Sequence, residues 1–244
     1  MGFEQILVEL QESMGSDESI ANAAWTSTYD KNKREDKYDD PDKVKKVVEL
    51  MINSDPPHGT PIESVIFRFW IRMPIFTDRQ HMTHRIASHN GLSGRYRTMP
   101  NDWYHLPQDV NDILVKLDNL PKASKSNPDP SMWISEYEVI CSKAYSMYND
   151  RVEYLKRREK DGTISNTEFK RVREVLRGML PTAGMVERTT IMNLRAFANY
   201  YRLRANDHAQ PEIQQVAKLM LSEIEKANIC PVAISALKKR NWIL

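Results

Sequence analysis

Residues 64–73 read SVIFRFWIRM, and this run constrains the fold more than any other. Val65, Phe67, Phe69, Ile71 and Met73 alternate with Ile66, Arg68, Trp70 and Arg72. A period of two puts the first set on one face of an extended strand. Pro74, which has no amide hydrogen for a sheet ladder, marks its end.

Helical spacing governs much of the rest. Asp40 is a cap residue, Pro41 suits the first helical position, and Val44, Val47, Val48, Met51 and Ile52 recur at helical intervals. That helix is expected to stop in a loop at 53–61. Residues 77–87 are expected as a short helix, and 88–96 (SHNGLSGRY), with its Asn-Gly and Ser-Gly pairs, as a loop. The polar stretch 120–130 reads as a surface connection before a long helix carrying Ile134, Tyr137, Cys141, Ala144, Tyr145 and Tyr148. A capping box, Ser165 to Glu168, opens a helix with Phe169, Val172, Val175, Leu176 and Met179, and Pro181 marks its exit. Helices are expected at 191–204 and 211–226. The mixed-charge run 31–43 reads as a solvated loop.

The chain of 244 residues suits one domain spanning 1–244. No apolar run approaches the roughly 18 residues a membrane span needs, so a soluble protein without a membrane partner is expected. The start, MGFEQILVELQES, lacks the basic opening and cleavage site of a secretory leader. Two cysteines, Cys141 and Cys230, supply neither a disulfide framework nor a thiolate metal site, which fits a reducing, cytoplasmic setting. Lys plus Arg is 35 against 33 for Asp plus Glu. Such balance argues against a nucleic-acid binder and makes phosphate recognition a local matter.

Two clusters carry the chemistry. RQHMTHRIASHNGLSGRY, residues 79–96, joins cationic, amide and hydroxyl side chains to a glycine-bearing loop. An arginine fork and close backbone amides suit an anion, with Arg95 between Gly94 and Tyr96 the foremost candidate. An amphipathic helix with incidental arginines explains the same composition, and spacing alone leaves both readings open. His81, His84 and His89 raise a metal site, but no Cys or carboxylate in the segment completes a ligand set, and no metal is expected. Ser93 has no Gly-x-Ser-x-Gly elbow, so phosphate or base hydrogen bonding suits it better than a nucleophilic role. The second cluster places Asn193, Arg195, Asn199, Arg202, Arg204 and His208 along a helix and its exit, with a solvated helix face as the plain alternative.

Together these clusters resemble the flavin-dependent thymidylate synthases. The family signature is Arg-His-Arg, then seven residues, then Ser, Gly or Ala, and Arg; here it stands as THRIASHNGLSGRY, residues 83–96. The likeness runs through HGTPIESVIFRFWIRMPIFTDRQ, LRGMLP and NLRAFANYYRLRANDHAQPEIQQ, from about residue 58 to 220. The resemblance implies an α/β (α+β) protomer, a twisted and mainly antiparallel sheet flanked by helices, in a homotetramer with shared active sites. It implies FAD at Ser27, Thr60, Thr83, His84, Arg85, Asn193, Leu194, Arg195 and Asn199. It implies dUMP at Gln80, Gly91, Leu92, Ser93, Gly94, Arg95, Arg177 and Arg204, with Arg95 and Arg177 on the phosphate. Arg204 and Ser93 are the implied catalytic residues, Arg204 lying against the uracil. The implied reaction is reductive methylation of dUMP to dTMP, with methylenetetrahydrofolate as carbon donor and NADPH-reduced FAD as hydride source.

Two positions depart from the family pattern. Thr83 stands for the first Arg of Arg-His-Arg, and Gly91 for a common Glu. They raise two alternatives on the same scaffold: a folate-dependent hydroxymethylase making 5-hydroxymethyl-dUMP, and a catalytically silent nucleotide-binding protein.

Overall fold

The computed structural model describes residues 2–35, 40–119 and 129–243. Its strands are β1 (Leu7–Met14), β2 (Ile66–Pro74), β3 (Ser88–Gly91) and β4 (Met185–Asn193), in the sheet order β1-β2-β4-β3. Its α-helices are α1 (Asp17–Trp25), α2 (Lys31–Glu35), α3 (Pro41–Asn53), α4 (Gly59–Ile62), α5 (Ile75–His81), α6 (Gln108–Asp118), α7 (Pro130–Lys160), α8 (Asn166–Leu176), α9 (Leu194–Arg204), α10 (Pro211–Ala227) and α11 (Pro231–Lys239). Helices with an antiparallel sheet are the α+β class that the resemblance implies. The chain falls into two compact units, neither of them one continuous stretch. The first holds Met1–Gln5, Met73–Asp78 and Gly91–Val186; the second holds Ile6–Arg72, Arg79–Asn90 and Glu187–Leu244.

In the second unit, the alternation in β2 has the expected effect: Val65, Phe67, Phe69 and Ile71 are fully buried. The Phe67 and Phe69 rings meet Phe197 of α9 at centroid distances of 6.1 and 6.5 Å. On the other face, Arg68 pairs with Glu12 of β1 at 3.0 Å. β1 runs antiparallel to β2, with Leu7 opposite Arg72, Met14 opposite Ile66 and a register shift between Leu10 and Glu12. β1 escapes sequence reading because most of its side chains are exposed and its apolar alternation stops at Leu10. Its ladder with β2 and its packing on α10 define it.

Helix α3 begins as the sequence predicts. Asp40 accepts from the Lys43 amide at 3.2 Å, and Val44, Val48 and Ile52 are buried. The short helix α4 occupies part of the loop expected after it. α11 is capped from a distance: Asp17 of α1 accepts from the Val232 and Ala233 amides, both at 2.9 Å. Those are first-turn donors with no partner inside the helix.

In the first unit, α7 and α8 pack together, and Tyr148 and Val152 of α7 form a core with Met99, Leu92, Leu176, Leu180 and Val186. The α8 capping box is present: Glu168 donates its amide to Ser165 Oγ at 3.2 Å and accepts from the Ser165 amide at 2.7 Å. Tyr145 stacks on Trp103 at 5.6 Å, and burial pushes its phenol up to about 12.

Other boundaries differ from the sequence expectation. The helix expected at 77–87 is α5, starting at Ile75 and ending at His81. The segment expected as a loop from 88 contains β3, which the Asn-Gly pair ends rather than interrupts. The helix expected from 191 starts at 194: β4 continues to Asn193, whose side chain accepts from the Ala196 amide at 2.8 Å and so sets the helix start. α6 had no sequence expectation. Of the connection expected at 120–130, residues 120–128 lie outside the described residues; of the mixed-charge run, 36–39 do, and its described parts are α2 and the start of α3.

Phe69→Ala empties a fully buried, ring-packed position and is expected to cost about 3–5 kcal/mol. Urea denaturation checks this; a loss below about 1 kcal/mol would show that the Phe67–Phe69–Phe197 cluster does not carry the unit's core.

Candidate active site

The second unit contains a cavity of about 780 Å³, a volume in the range of cofactor pockets. Thr83, His84 and Arg85 line it from the loop after α5; Asn193, Arg195, Asn199 and Arg204 line it from the end of β4 and from α9. These residues come from both sequence clusters. The Arg195 guanidinium pairs with Glu63 at 2.7 Å and lies against the backbone of Gly59, where a Cβ would approach Arg195 Cζ to 2.7 Å. A side chain there would displace the arginine.

Three residues implied for the flavin are placed elsewhere. Leu194 is fully buried, and its amide donates to the Val65 carbonyl at 2.8 Å. Thr60 is exposed on α4. Ser27 is exposed after α1, its hydroxyl donating to the Ala24 carbonyl at 2.8 Å. None of the three lines the cavity.

The three histidines form a directed chain of hydrogen bonds. His89 Nε2 lies 3.3 Å from the His84 carbonyl, which can only accept, so this nitrogen carries a proton. In the neutral ring Nδ1 then accepts from the Thr190 hydroxyl at 3.2 Å. Thr190 Oγ1 in turn accepts from His81 Nε2 at 2.9 Å, and His81 Nδ1 accepts from the Tyr200 hydroxyl at 3.0 Å. His81, Thr190 and Tyr200 are fully buried. Burial, with His89 and Arg188 next in effect, holds His81 neutral by driving its pKa far below the usual histidine range. Among the described residues no group of three or more His, Cys, Asp or Glu is arranged to hold a metal ion.

At the cavity edge, Arg204 Nε donates to His84 Nε2 at 2.7 Å. A guanidinium has no acceptor, so His84 must be neutral with its proton on Nδ1. Burial and the Arg204 charge bring the His84 pKa down to about 4, in keeping with that tautomer. Arg204 Nη2 donates to Thr83 Oγ1 at 2.8 Å and to the Gln80 carbonyl at 3.3 Å. The Gln80 side chain bonds Gln210.

The first unit holds the second group of predicted residues. Gly94 is buried, and a Cβ there would strike Arg177 Cδ and come within 2.8 Å of Met99 Sδ. Only glycine lets Arg177 lie so close. Arg177 Nε donates to the Glu174 carbonyl at 3.3 Å, while the exposed Arg95 pairs with the Glu174 carboxylate at 2.8 Å. The Arg95 amide donates to Ser93 Oγ at 3.3 Å. Leu92 joins the core around Tyr148, and Gly91 ends β3 in an exposed position.

Sequence reading missed Glu63, Met192 and Trp242 in the cavity wall, Thr190 and Tyr200 in the histidine chain, and Arg173 beside Arg95. Arg173 is buried over the Phe169 ring at 4.8 Å and donates to the Arg95 carbonyl. Trp242 follows α11 in a segment tied down by Arg240, which donates to the Ser54 carbonyl at 2.6 Å. No local motif marks these residues; packing brings them in. Both cysteines are buried, and burial raises both thiols, Cys230 to about 12, which suits structural roles.

The second unit therefore has the makings of a cofactor-binding enzyme site, basic and rich in amides. The family model described as thymidylate synthase complementing protein matches residues 9–232. A flavin-dependent thymidylate synthase from Kosmotoga olearia is 32% identical over 96% of this chain and 90% of the relative. One from Pseudothermotoga lettingae is 31% identical over 92% of this chain and 86% of the relative. Among solved structures, a UMP/dUMP methylase PolB from Streptomyces cacaoi bound with 5-Br dUMP covers 98% of this chain and 97% of its own, with a TM-score of 0.68 and 25% identity. The chain belongs to the flavin-dependent thymidylate synthase family, and it is a one-carbon transferase.

His84 predicts a pH dependence. Its folded pKa of about 4 lies below the ordinary 6.5, so the unfolded chain binds its proton first. The stability this histidine contributes is full above pH 6.5 and is lost as pH falls from there towards 4. Thermal melts of the protein and of His84→Gln across pH 7 to 4 are expected to show a shallower decline in the variant. Equal slopes would contradict the neutral His84.

Proposed function

We propose that this protein methylates the uracil C5 of dUMP to give dTMP, with FAD bound in the cavity of the second unit. The observation that carries the reading is the convergence of Thr83, His84, Arg85, Asn193, Arg195 and Asn199 on that one cavity, beside Arg204. Its arginines suit a diphosphate, and the amides of Asn193 and Asn199, with the Trp242 ring, suit a flat heterocycle. The bound flavin, reduced by NADPH, supplies the hydride, and methylenetetrahydrofolate supplies the carbon.

The chain's own residues bind, orient and stabilise charge. Arg95 and Arg177 grip the nucleotide phosphate, Ser93 adds a hydroxyl, and Gly94 allows the close approach at Arg177. Arg95, now paired with the Glu174 carboxylate, exchanges that carboxylate for the phosphate when nucleotide arrives. Arg204 stabilises negative charge developing on the pyrimidine as C5 attacks the one-carbon unit. Neutral His84 holds Arg204 without competing for its charge. Assembly as a homotetramer with shared sites belongs to the same reading.

Incubation with FAD, NADPH, methylenetetrahydrofolate and dUMP, followed by mass spectrometry of the nucleotide, tests it. Thymidylate supports the proposal; a hydroxymethyl product or no product would replace it with one of the two alternatives on this scaffold. A parallel incubation with UMP is informative because a solved neighbour of TM-score 0.66, the same methylase, carries 5-Br UMP. Arg177→Ala is expected to weaken dUMP binding about 10–100-fold, the equivalent of one charge-assisted hydrogen bond. Calorimetric titration measures it; unchanged affinity would remove Arg177 from the phosphate site.

A further inference from the structure

Thr83 stands where the family signature has an arginine, and its surroundings show what the replacement does. The Thr83 hydroxyl donates to the Gln80 carbonyl at 2.7 Å. Its lone pairs are thereby left for the Arg204 Nη2, 2.8 Å away. The same Nη2 also reaches the Gln80 carbonyl at 3.3 Å, and Arg204 Nε reaches His84 at 2.7 Å. These three bonds engage the Nε hydrogen and both Nη2 hydrogens of a planar, five-donor group, and the two Nη1 hydrogens take no part in them. Two bonded corners of a rigid plane fix its roll as well as its position. An arginine at position 83 has donors only, so it cannot accept from Arg204 and would bring a like charge against it.

We infer that Thr83 is a positioning residue for Arg204: its hydroxyl, oriented by the Gln80 carbonyl, locks the guanidinium so that the Nη1 edge meets the pyrimidine. The inference rests on the reading of Arg204 as the group that meets the nucleotide ring. It assigns the departure from the family signature a gain, an acceptor, in place of the lost cation. Thr83 is an exposed residue, so removal of its hydroxyl leaves the core untouched.

Thr83→Val keeps the shape and removes the hydroxyl; Thr83→Ser keeps the hydroxyl; Thr83→Arg restores the family residue. Each is compared with the unaltered protein and with Arg204→Ala, by calorimetric titration with dUMP in the presence of FAD and by separate kcat and KM values. Thr83→Val is expected to weaken dUMP binding and lower kcat about tenfold, with a smaller loss of FAD affinity because the other cavity residues keep their groups, and Thr83→Arg to weaken dUMP binding at least as much. Thr83→Ser is expected to rescue both quantities. If Arg204→Ala weakens dUMP binding and Thr83→Val matches the unaltered protein, the inference is overturned and the Arg204 reading stands. If Arg204→Ala leaves dUMP binding unchanged, the reading falls and takes the inference with it. A loss of FAD affinity in Thr83→Val equal to its loss of dUMP affinity would make Thr83 a flavin contact and overturn the positioning role.

Discussion

The bond from Arg204 to His84 is the constraint around which the cavity is organised. It requires an unprotonated Nε2 beside a permanent cation, and the structure meets that requirement twice. Partial burial and the Arg204 charge both disfavour the imidazolium, bringing His84 down to about 4. The His84 backbone, in turn, is held by His89, whose bonding partner Thr190 is tied to the fully buried His81 and Tyr200. Polar groups this deep in a protein are costly unless all are paired. In this chain each donor finds an acceptor in one consistent direction, from the Tyr200 hydroxyl to the His84 carbonyl. The three histidines that resemble a metal set in the sequence are therefore a brace for the loop that carries His84.

That brace depends on the sheet. His89 lies in β3 and Thr190 in β4, adjacent strands, while Tyr200 rides on α9, which packs its Phe197 against the apolar face of β2. The Asn193 cap ends β4 and starts α9, so one side chain sets where the strand's last residues and the helix's first residues enter the cavity. Strand pairing, helix capping and ring packing thus converge on the orientation of a few polar groups.

Much of this was legible in the sequence. β2 and α3 carry apolar side chains at clean periods, and α8 carries a capping box; all three appear in the structure. The cavity-lining residues Thr83, His84, Arg85, Asn193, Arg195, Asn199 and Arg204 belong to the two polar clusters. What was not legible depended on tertiary neighbours. β1 has too few buried side chains to announce itself, and β4 carries polar residues, Glu187 to Thr190, through its middle, where its burial alternation breaks at Arg188 and Thr189. Glu63 is defined by Arg195, and Trp242 by the anchoring of the chain end through Arg240. Thr83 looked like a loss because a local motif shows only the missing charge, whereas its partner, Arg204, is 121 residues away.

A diffraction structure of the protein with FAD bound tests the central claim most directly. The account predicts flavin in the second unit's cavity, in contact with Arg195 and Asn199, with the Arg204–His84 bond intact. Flavin bound elsewhere, or an empty cavity at saturating FAD, would contradict it.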